Sequence, residues 1–309
     1  MPDPLFTVFT ATYNRATTLP RVRDSLARQT FRDFEWLIVD DGSTDGTPEL
    51  VEGWIADGDL DIRYLRKPNG GKHTAWNVGI TEARGSLFVS FDSDDACIPE
   101  ALEVFHDEWT RIEPERRAGL VGVCCLVMDP DGNVVGDRFP EDVMDTTSDA
   151  LRFVHHVTGD KWSFMRIEVA RAFPFPEHEG MRYVPESIVW GRIASHYHER
   201  YVNKVLQVRH PDGSARLTNA SWEDARANAL GSQVALEEKA ARWLRHDPAY
   251  FLRMAARYSR NSWLCSVGTR QQLRDLHGGV ARALWLLMLP VGRLLYLRDA
   301  RRRRAATGS

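Results

Sequence analysis

The sequence is poor in the features that mark several large classes of protein. Its four cysteines form no C-x-x-C pair and no Cys/His spacing typical of a zinc site, so we expect reduced thiols and a cytoplasmic location. The formal net charge is −3, which gives no global positive field and excludes nucleic acid as the expected partner. No uninterrupted apolar run reaches about 18 residues, so no membrane-spanning helix is expected. The first ten residues lack the basic and apolar regions of a signal peptide, and none is expected.

What the sequence does contain is an alternation of strand-like and helix-like segments over its first half. The predicted strands are residues 5–13, 34–40, 61–66 and 86–92. The predicted helices are residues 18–30, 46–56, 71–83 and 98–109. Strands that alternate with helices through short connections favour an α/β fold, with a Rossmann-like, mainly parallel sheet flanked by helices.

The alternation changes after about residue 118. A long apolar strand is predicted at 119–129, helices at 148–156 and 186–199, and a late strand at 200–210. Residues 219–260 have a helical pattern, and the segment after 278 is apolar and then strongly basic. The sequence therefore predicts an α/β domain over residues 1–218 and a helical C-terminal extension, with a basic amphipathic tail, over residues 219–309.

Carboxylates follow two of the predicted strands directly. Asp40 and Asp41 end one strand, and Asp92, Asp94 and Asp95 end another. In open parallel sheets ligands bind at the carboxyl ends of the strands, and clustered carboxylates destabilise a fold unless cations or donors compensate them. Oxygen ligands of this kind suit Mg²⁺ or Mn²⁺ bound together with phosphates. We expect such a cation here. The alternative is that these acids only cap the helix that follows.

Five segments of the sequence, in this order, resemble the family 2 nucleotide-sugar glycosyltransferases, which have the GT-A fold. The resemblance covers roughly residues 5–215. Each segment lies where that fold needs it. The segments are "FTATYNR", "LIVDDGSTDGT", "PNGGKHTAWNVGI", "FVSFDSDD" and "YVPESIVWGRIA".

The resemblance implies a site that binds the nucleotide part of a nucleotide-diphosphate sugar. Thr12, Tyr13 and Arg15 match the segment that lines the nucleobase. Asp40 matches the acid that recognises the uracil edge, Asp41 lies beside it, and Lys72 matches a basic contact near the nucleotide or its phosphates. The alternative interpretations are that Tyr13 only packs and that Lys72 is a solvated charge at a helix start.

The resemblance also implies a metal site and a catalytic base. Asp92 and Asp94 match the D-x-D pair, with Asp92 nearer the ribose, and the sequence does not rank Asp94 against Asp95 as the main metal ligand. Glu186 matches the acid that acts as base. The family often carries a Glu-Asp pair there, whereas this chain has Glu186 followed by Ser187. A helix-capping role for Glu186 is the alternative.

Residues 209–218 resemble a late loop that closes over the diphosphate, which makes His210 and Ser214 candidate donor contacts. The resemblance as a whole implies an inverting transfer of a sugar, UDP-linked, to a hydroxyl acceptor. The implied acceptor is a glycan or a lipid-linked molecule, and the implied process is the synthesis of cell-surface glycans.

Three other classes of protein compete with this interpretation. A sugar nucleotidyltransferase typically has a glycine-rich basic loop after the first strand, whereas the loop here contains no glycine. A dinucleotide oxidoreductase is excluded because no G-x-G-x-x-G follows that strand. A non-catalytic partner that binds a nucleotide sugar stays open.

The tail over residues 280–304 combines apolar anchors with a cluster of arginines. We expect it to lie on a membrane surface, as a peripheral contact on the inner face of the membrane, because Pro290 and Arg293 interrupt its apolar run. The alternatives are a helix packed into the core and a contact between copies of the chain.

Overall fold

The computed structural model describes residues 3–210 and 225–307. The chain divides into two compact units. The first, here called the sheet unit, contains residues 1–177 and 193–214, and the second, the helical unit, contains residues 178–192 and 215–309. The predicted division of the chain at residue 218 stays a prediction.

The strands all belong to one sheet in the sheet unit. They are β1 (Phe6–Thr12), β2 (Phe34–Asp40), β3 (Ile62–Arg66), β4 (Leu87–Ser90), β5 (Ala96–Cys97), β6 (Leu120–Met128), β7 (Val143–Thr146), β8 (Lys161–Arg166) and β9 (His198–Val208).

The helices connect and follow these strands. They are α1 (Leu19–Ala27), α2 (Thr47–Asp57), α3 (Lys72–Glu82), α4 (Ala101–Thr110), α5 (Pro114–Arg117), α6 (Ser148–Phe153), α7 (Ile167–Ala172), α8 (Ser187–Ala194), α9 (Ala225–Val234), α10 (Ala240–Trp243), α11 (Pro248–Leu264), α12 (Thr269–Asp275) and α13 (Gly279–Thr307). A π-helical turn, Ala235–Lys239, joins α9 to α10.

The sheet has the strand order β3-β2-β1-β4-β8-β6-β9-β5, with β7 paired to β9. Strands β3, β2, β1 and β4 are parallel, whereas β8 runs antiparallel to both β4 and β6. The parallel half is the part that the strand–helix alternation predicts. The predicted α/β fold with C-terminal helices is confirmed.

Two differences from the sequence prediction concern α8 and β8. The helix predicted at 186–199 ends at Ala194, because His198 already begins β9, which pairs with β6 in the sheet. Strand β8 was not predicted, although it is buried between β4 and β6. Its alternation of polar and apolar residues is too short to distinguish a strand from a loop.

Both faces of the parallel half are covered, as the apolar character of its strands requires. On one face Val8 and Trp36 belong to a large core with Leu26 of α1 and Phe105 of α4. On the other face Phe9 of β1 stacks on Phe88. The sheet therefore has no water-facing side at its centre.

Helix α3 approaches the sheet closely at one glycine. Trp76 of this helix packs edge-on against Phe9, with 5.8 Å between the ring centroids. A Cβ atom at Gly79, one turn further on, would lie 2.3 Å from the Phe9 ring. Only glycine therefore permits this separation between α3 and β1.

A buried carboxylate lies at the amino end of β2. Glu35 is fully buried and accepts hydrogen bonds from Thr7 Oγ1 (2.6 Å), Arg84 N (2.7 Å) and Arg84 Nε (2.7 Å). Arg63 Nη1 donates to it at 3.2 Å. Burial alone would raise the pKa of Glu35, but these donors outweigh it and hold the pKa below its ordinary value of 4.5.

We expect Glu35→Gln to lower the free energy of unfolding by roughly 3 kcal/mol at neutral pH, because the arginines lose their buried partner. A folded-state pKa below the unfolded value stabilises the fold above about pH 4.5, and this contribution is lost as the pH falls through the folded pKa. Urea unfolding should therefore show a difference in free energy of unfolding between the wild type and Glu35→Gln that is smaller at pH 3.5 than at pH 7. The control Glu82→Gln removes an exposed partner of Arg63 and should cost under about 1 kcal/mol. A gap equal at both pH values would contradict the assignment.

Candidate active site

Three carboxylates meet where β4 ends. Phe91 extends the strand by one residue, since its N–H donates to Phe9 O and its side chain is buried. The chain then turns, and one ligand atom from each of Asp92, Asp94 and Asp95 lies within 4.8 Å of the others. The predicted metal-binding residues are thus brought together at the carboxyl end of the parallel strands.

Cations from two other elements surround this cluster. Lys72, the first residue of α3, donates from Nζ to Asp92 Oδ1 at 2.8 Å. Arg15, which follows β1, has Nη2 3.9 Å from Asp94 Oδ2. Lys72 above all, with smaller effects from Arg209 and Arg15, holds the pKa of Asp92 below its usual range, despite the opposing effect of desolvation. Asp92 is therefore ionised at neutral pH and lies beside positive charge.

Asp95 has a different environment from the other two acids. Its side chain is buried, and its oxygens accept from Gln207 Nε2 (2.8 Å) and from the backbone N of His210 (2.9 Å). Burial, followed by the charge of Asp92, raises the pKa of Asp95 to about 7. Asp95 thus connects the end of β9 to the acidic cluster.

The backbone of the acidic turn is held from helix α1 and the residue before it. Thr18 Oγ1 donates to Ser93 O at 3.0 Å, and Arg21 Nη1 donates to Asp94 O at 2.5 Å. Neither bond uses a carboxylate. Because the turn is fixed through its carbonyl groups, the side chain of Asp94 is not required for its position.

Asp40 and Asp41 lie at the end of β2, and both are buried. Asp40 accepts from Ser43 N at 2.7 Å and from Tyr64 Oη at 2.5 Å. Burial and the hydrogen bond to Asp40 raise the pKa of Tyr64, so its hydroxyl is a donor at any physiological pH. The carboxylate of Asp40 is thereby held in one orientation.

Asp41 organises the loop that precedes α3. Its Oδ1 accepts from Gly70 N (2.9 Å) and Lys67 Nζ (2.6 Å), and its Oδ2 accepts from Gly71 N (2.7 Å). Gly71 has φ 98°, which side-chain-bearing residues rarely adopt. These contacts determine where α3 begins, and hence where Lys72 lies.

The segment after β1 lies against the end of β2. The side chain of Thr12 is buried, whereas Tyr13 is 47% exposed. Asn14, which sequence reasoning missed, has φ 53°; its backbone N donates to Ser43 Oγ at 2.9 Å, and its Oδ1 accepts from Thr44 N at 2.8 Å. Asn tolerates this conformation better than most residues, and that preference is the signal by which the turn was recognisable.

The remaining predicted residues fall in different parts of the chain. His210 is half-buried beside Asp95, and burial, then the charge of Arg21, lowers its pKa. Ser214 lies outside the described residues. Glu186 belongs to the helical unit, is exposed, and its carbonyl accepts from Val189 N at 3.0 Å as α8 begins.

Sequence reasoning also missed several residues that support the acids. Lys67 precedes the "PNGG" segment and binds Asp41, and Gln207 and Arg21 hold Asp95 and the turn at Asp94. Lys67 was recognisable as a cation next to a loop rich in glycine. Gln207 and Arg21 carry no local signal, because their partners are 112 and 73 residues away in the chain.

A sheet of this topology, with an acidic Asp-x-Asp-Asp turn after the fourth strand and cations around it, is the arrangement that the resemblance to GT-A glycosyltransferases implies. Residues 7–143 match the model of the family described as glycosyl transferase family 2. The predicted resemblance to this family is therefore confirmed over residues 7–143.

Two curated relatives illustrate this similarity. Chondroitin synthase of Pasteurella multocida (strain Pm70) is 31% identical over 155 residues, which cover 50% of this chain and 16% of that protein. Hyaluronan synthase of Pasteurella multocida is also 31% identical over 155 residues, covering 50% of this chain and 15% of that protein. The match thus spans about a sixth of the length of these relatives.

The fold is similar to that of S. aureus TarS 1–349, solved in complex with UDP-GlcNAc. The TM-score is 0.61, and the alignment covers 94% of this chain and 80% of that chain. At 19% sequence identity this likeness shows the shared fold alone.

Proposed function

We propose that the protein transfers a sugar from a nucleotide-diphosphate sugar, UDP-linked, to a hydroxyl acceptor, with inversion at the anomeric carbon. The observation that carries the proposal is the convergence of Asp92, Asp94 and Asp95 with Lys72 and Arg15 in a glycosyltransferase family 2 domain. Acids and cations that meet at the carboxyl end of β4 suit a metal–diphosphate group, which carries both positive and negative charge.

The three acids at the carboxyl end of β4 fit a divalent cation, Mg²⁺ or Mn²⁺. The donors are carboxylate oxygens, and their mutual distances allow one ion to be shared. We assign Asp92 and Asp94 as the residues that hold it, since both oxygens of Asp95 accept hydrogen bonds from β9 and the residues after it. When bound, such an ion neutralises charge that develops on a leaving nucleotide diphosphate.

The residues around this end of the sheet have separate roles in this proposal. Asp40, held by Ser43 and Tyr64, offers its carboxylate to the uracil edge, beside Thr12 and Tyr13. Lys72 and Arg15 attract the diphosphate. Asp41 acts through Lys67 and the loop before α3, and is a positioning residue.

The acceptor side rests on Glu186. In the proposed reaction its carboxylate takes the proton of the acceptor hydroxyl as the oxygen attacks the anomeric carbon, and the nucleotide diphosphate leaves from the opposite face. Glu186 is exposed at the start of α8, so an acceptor can reach its side chain. Ser187 lacks the second carboxylate of a Glu-Asp pair, which leaves Glu186 as the acid of this segment.

The names of the two synthases support a glycan acceptor, or a lipid-linked precursor of one, in the synthesis of cell-surface polysaccharide. We place the reaction in the cytoplasm. Cys97, Cys124 and Cys125 are buried thiols outside any disulfide bond, which suits a reducing compartment.

The test is release of free UDP from a panel of UDP-sugars with Mn²⁺ or Mg²⁺, with and without glycan acceptors. Acceptor-stimulated release supports the proposal. Nucleotide-sugar binding, seen as thermal stabilisation without release, would instead identify a non-catalytic partner. Formation of a nucleotide sugar from a sugar phosphate and a nucleoside triphosphate would identify a nucleotidyltransferase.

The division of labour between Asp94 and Asp95 has its own test. We expect Asp95→Asn to lower the rate about 10–100-fold, because an amide NH₂ meets one of two donors at that position. Gln207→Met removes the same bond from the other side and should lower the rate by a similar factor. The Mn²⁺ concentration for half-maximal rate should change little in both variants. A large rise in that concentration for Asp95→Asn, with normal activity of Gln207→Met, would make Asp95 a direct ligand.

A further inference from the structure

Helix α13 packs one face within the helical unit. Ala281, Leu284 and Trp285 are buried, and Trp285 Nε1 donates to Gln272 Oε1 of α12 at 3.2 Å. Further along, a Cβ atom at Gly292 would lie 2.9 Å from the backbone oxygen of Ala256 in α11. This face of α13 is therefore fixed against protein.

The opposite face of α13 carries large apolar side chains into solvent. Leu286, Leu287 and Leu294 are 58%, 66% and 68% exposed. Leu287, Val291, Leu294 and Leu297 recur at intervals of three or four residues, and Leu286 adjoins Leu287, so all five lie on one side of the helix. We call these five residues the leucine stripe. The helix is thus amphipathic with an apolar side turned away from its own unit.

The charge along α13 is almost entirely positive. Residues 279–309 contain seven arginines and one acid, Asp299. Asp299 is buried and is an ion-pair partner of Arg260 in α11, so it offers no negative charge at the surface. Arg298, Arg301 and Arg302 are exposed and directly follow the leucine stripe. An apolar stripe with arginines at one end complements the acyl boundary and headgroups of an anionic lipid surface.

From these observations we infer that α13 docks the protein onto an anionic membrane, lying in the plane of the interface with the leucine stripe inserted among the lipids. By length and composition alone Gly279–Arg302 is also able to cross a membrane. Two features favour the in-plane arrangement. One face of the helix packs on α11 and α12, and Arg293, exposed in mid-helix, lies over the rings of Trp263 and Tyr296. A spanning helix would place that charge in hydrocarbon.

A second copy of the chain fits the stripe less well. Its own α13 would bring seven further arginines to a helix without a surface acid over residues 279–302. Like charges at close range oppose such a contact, whereas anionic headgroups neutralise them. The inference does not depend on glycosyl transfer.

Co-sedimentation of the full chain with lipid vesicles tests the inference. The vesicles are phosphatidylcholine alone, or phosphatidylcholine mixed with phosphatidylglycerol. Leu287→Gln/Leu294→Gln should lower the partition coefficient at least about tenfold. Arg298→Gln/Arg301→Gln should lower binding to anionic vesicles about fivefold per arginine, and high salt should imitate that loss. The control Ile55→Gln/Leu273→Gln changes two apolar residues outside α13, which are 43% and 39% exposed, and should bind as the wild type does.

Three outcomes would overturn the inference. The first is a wild-type chain that sediments equally with and without anionic vesicles, and the second is a control variant that loses as much binding as the stripe variant. The third is a dimer, detected by sedimentation velocity without lipid, that the stripe variant dissociates while vesicle binding is absent. Circular dichroism and thermal melting of each variant establish that the fold is retained, which is expected because the changed side chains are solvent-exposed.

Discussion

Replacing Asp94 with alanine lowers the rate of sugar transfer on the order of 10³-fold in our expectation, the largest effect of any single change at this site. Asp94 lies within the group of three acids that share one small volume, and its side chain is 25% exposed. Initial rates of UDP release at saturating donor and Mn²⁺ measure the effect. Thermal stabilisation by Mn²⁺ with UDP should disappear in the same variant.

The fold of the Asp94→Ala variant should be unchanged or slightly more stable. The turn is held through the carbonyls of Ser93 and Asp94, and one of three neighbouring negative charges is removed. The matched control is Asp142→Ala, an exposed aspartate of the sheet unit. If Asp94→Ala retained near-normal rates and metal dependence, the assignment of the metal site would be wrong.

Glu186→Gln should lower kcat by about 10²–10⁴-fold and leave the affinity for the donor nearly unchanged. The amide keeps the shape and hydrogen bonding of the side chain but cannot accept the acceptor proton at neutral pH. Steady-state kinetics with donor and acceptor varied separately distinguish kcat from donor binding. A matched control is Glu179→Gln, an exposed glutamate that also lies in the helical unit.

If Glu186 only caps α8, the glutamine variant will be nearly fully active and melt slightly below the wild type. The stereochemistry of the product is a second, independent readout. An α-linked donor sugar should appear β-linked in the product. Retention of configuration would remove Glu186 from the role of base, whatever the rate of the variant.

The parallel half of the sheet was predictable because its signals are local. Strands β1, β2 and β4 are short, largely apolar runs, and α1 and α2 each have a proline in their first turn, Pro20 and Pro48. The acidic cluster followed from the same local information, since a strand and the acids after it adjoin in sequence. The carboxyl ends of parallel strands necessarily share one edge of the sheet.

The second half of the sheet was less predictable because its pairing is not local. Strand β8 pairs with β4 and β6, and β9 reaches across to β5, which has only two residues. The role of Asp95 depends on that pairing, because Gln207 comes to it only when β9 joins the sheet. The sequence of the three acids does not show which of them will accept a hydrogen bond from β9.

The close approach of α3 to β1 constrains two positions of the chain as a pair. Lys72 begins α3, and its distance from Asp92 depends on how near that helix lies to the sheet. The separation between α3 and the sheet is determined seven residues further along the chain, where Gly79 packs against the ring of Phe9. A side chain at 79 would shift the helix outward unless the residue at 9 became smaller. Substitutions at residues 9 and 79 are therefore coupled to the distance between the charges of Lys72 and Asp92, although neither Phe9 nor Gly79 carries a charge or a polar side chain.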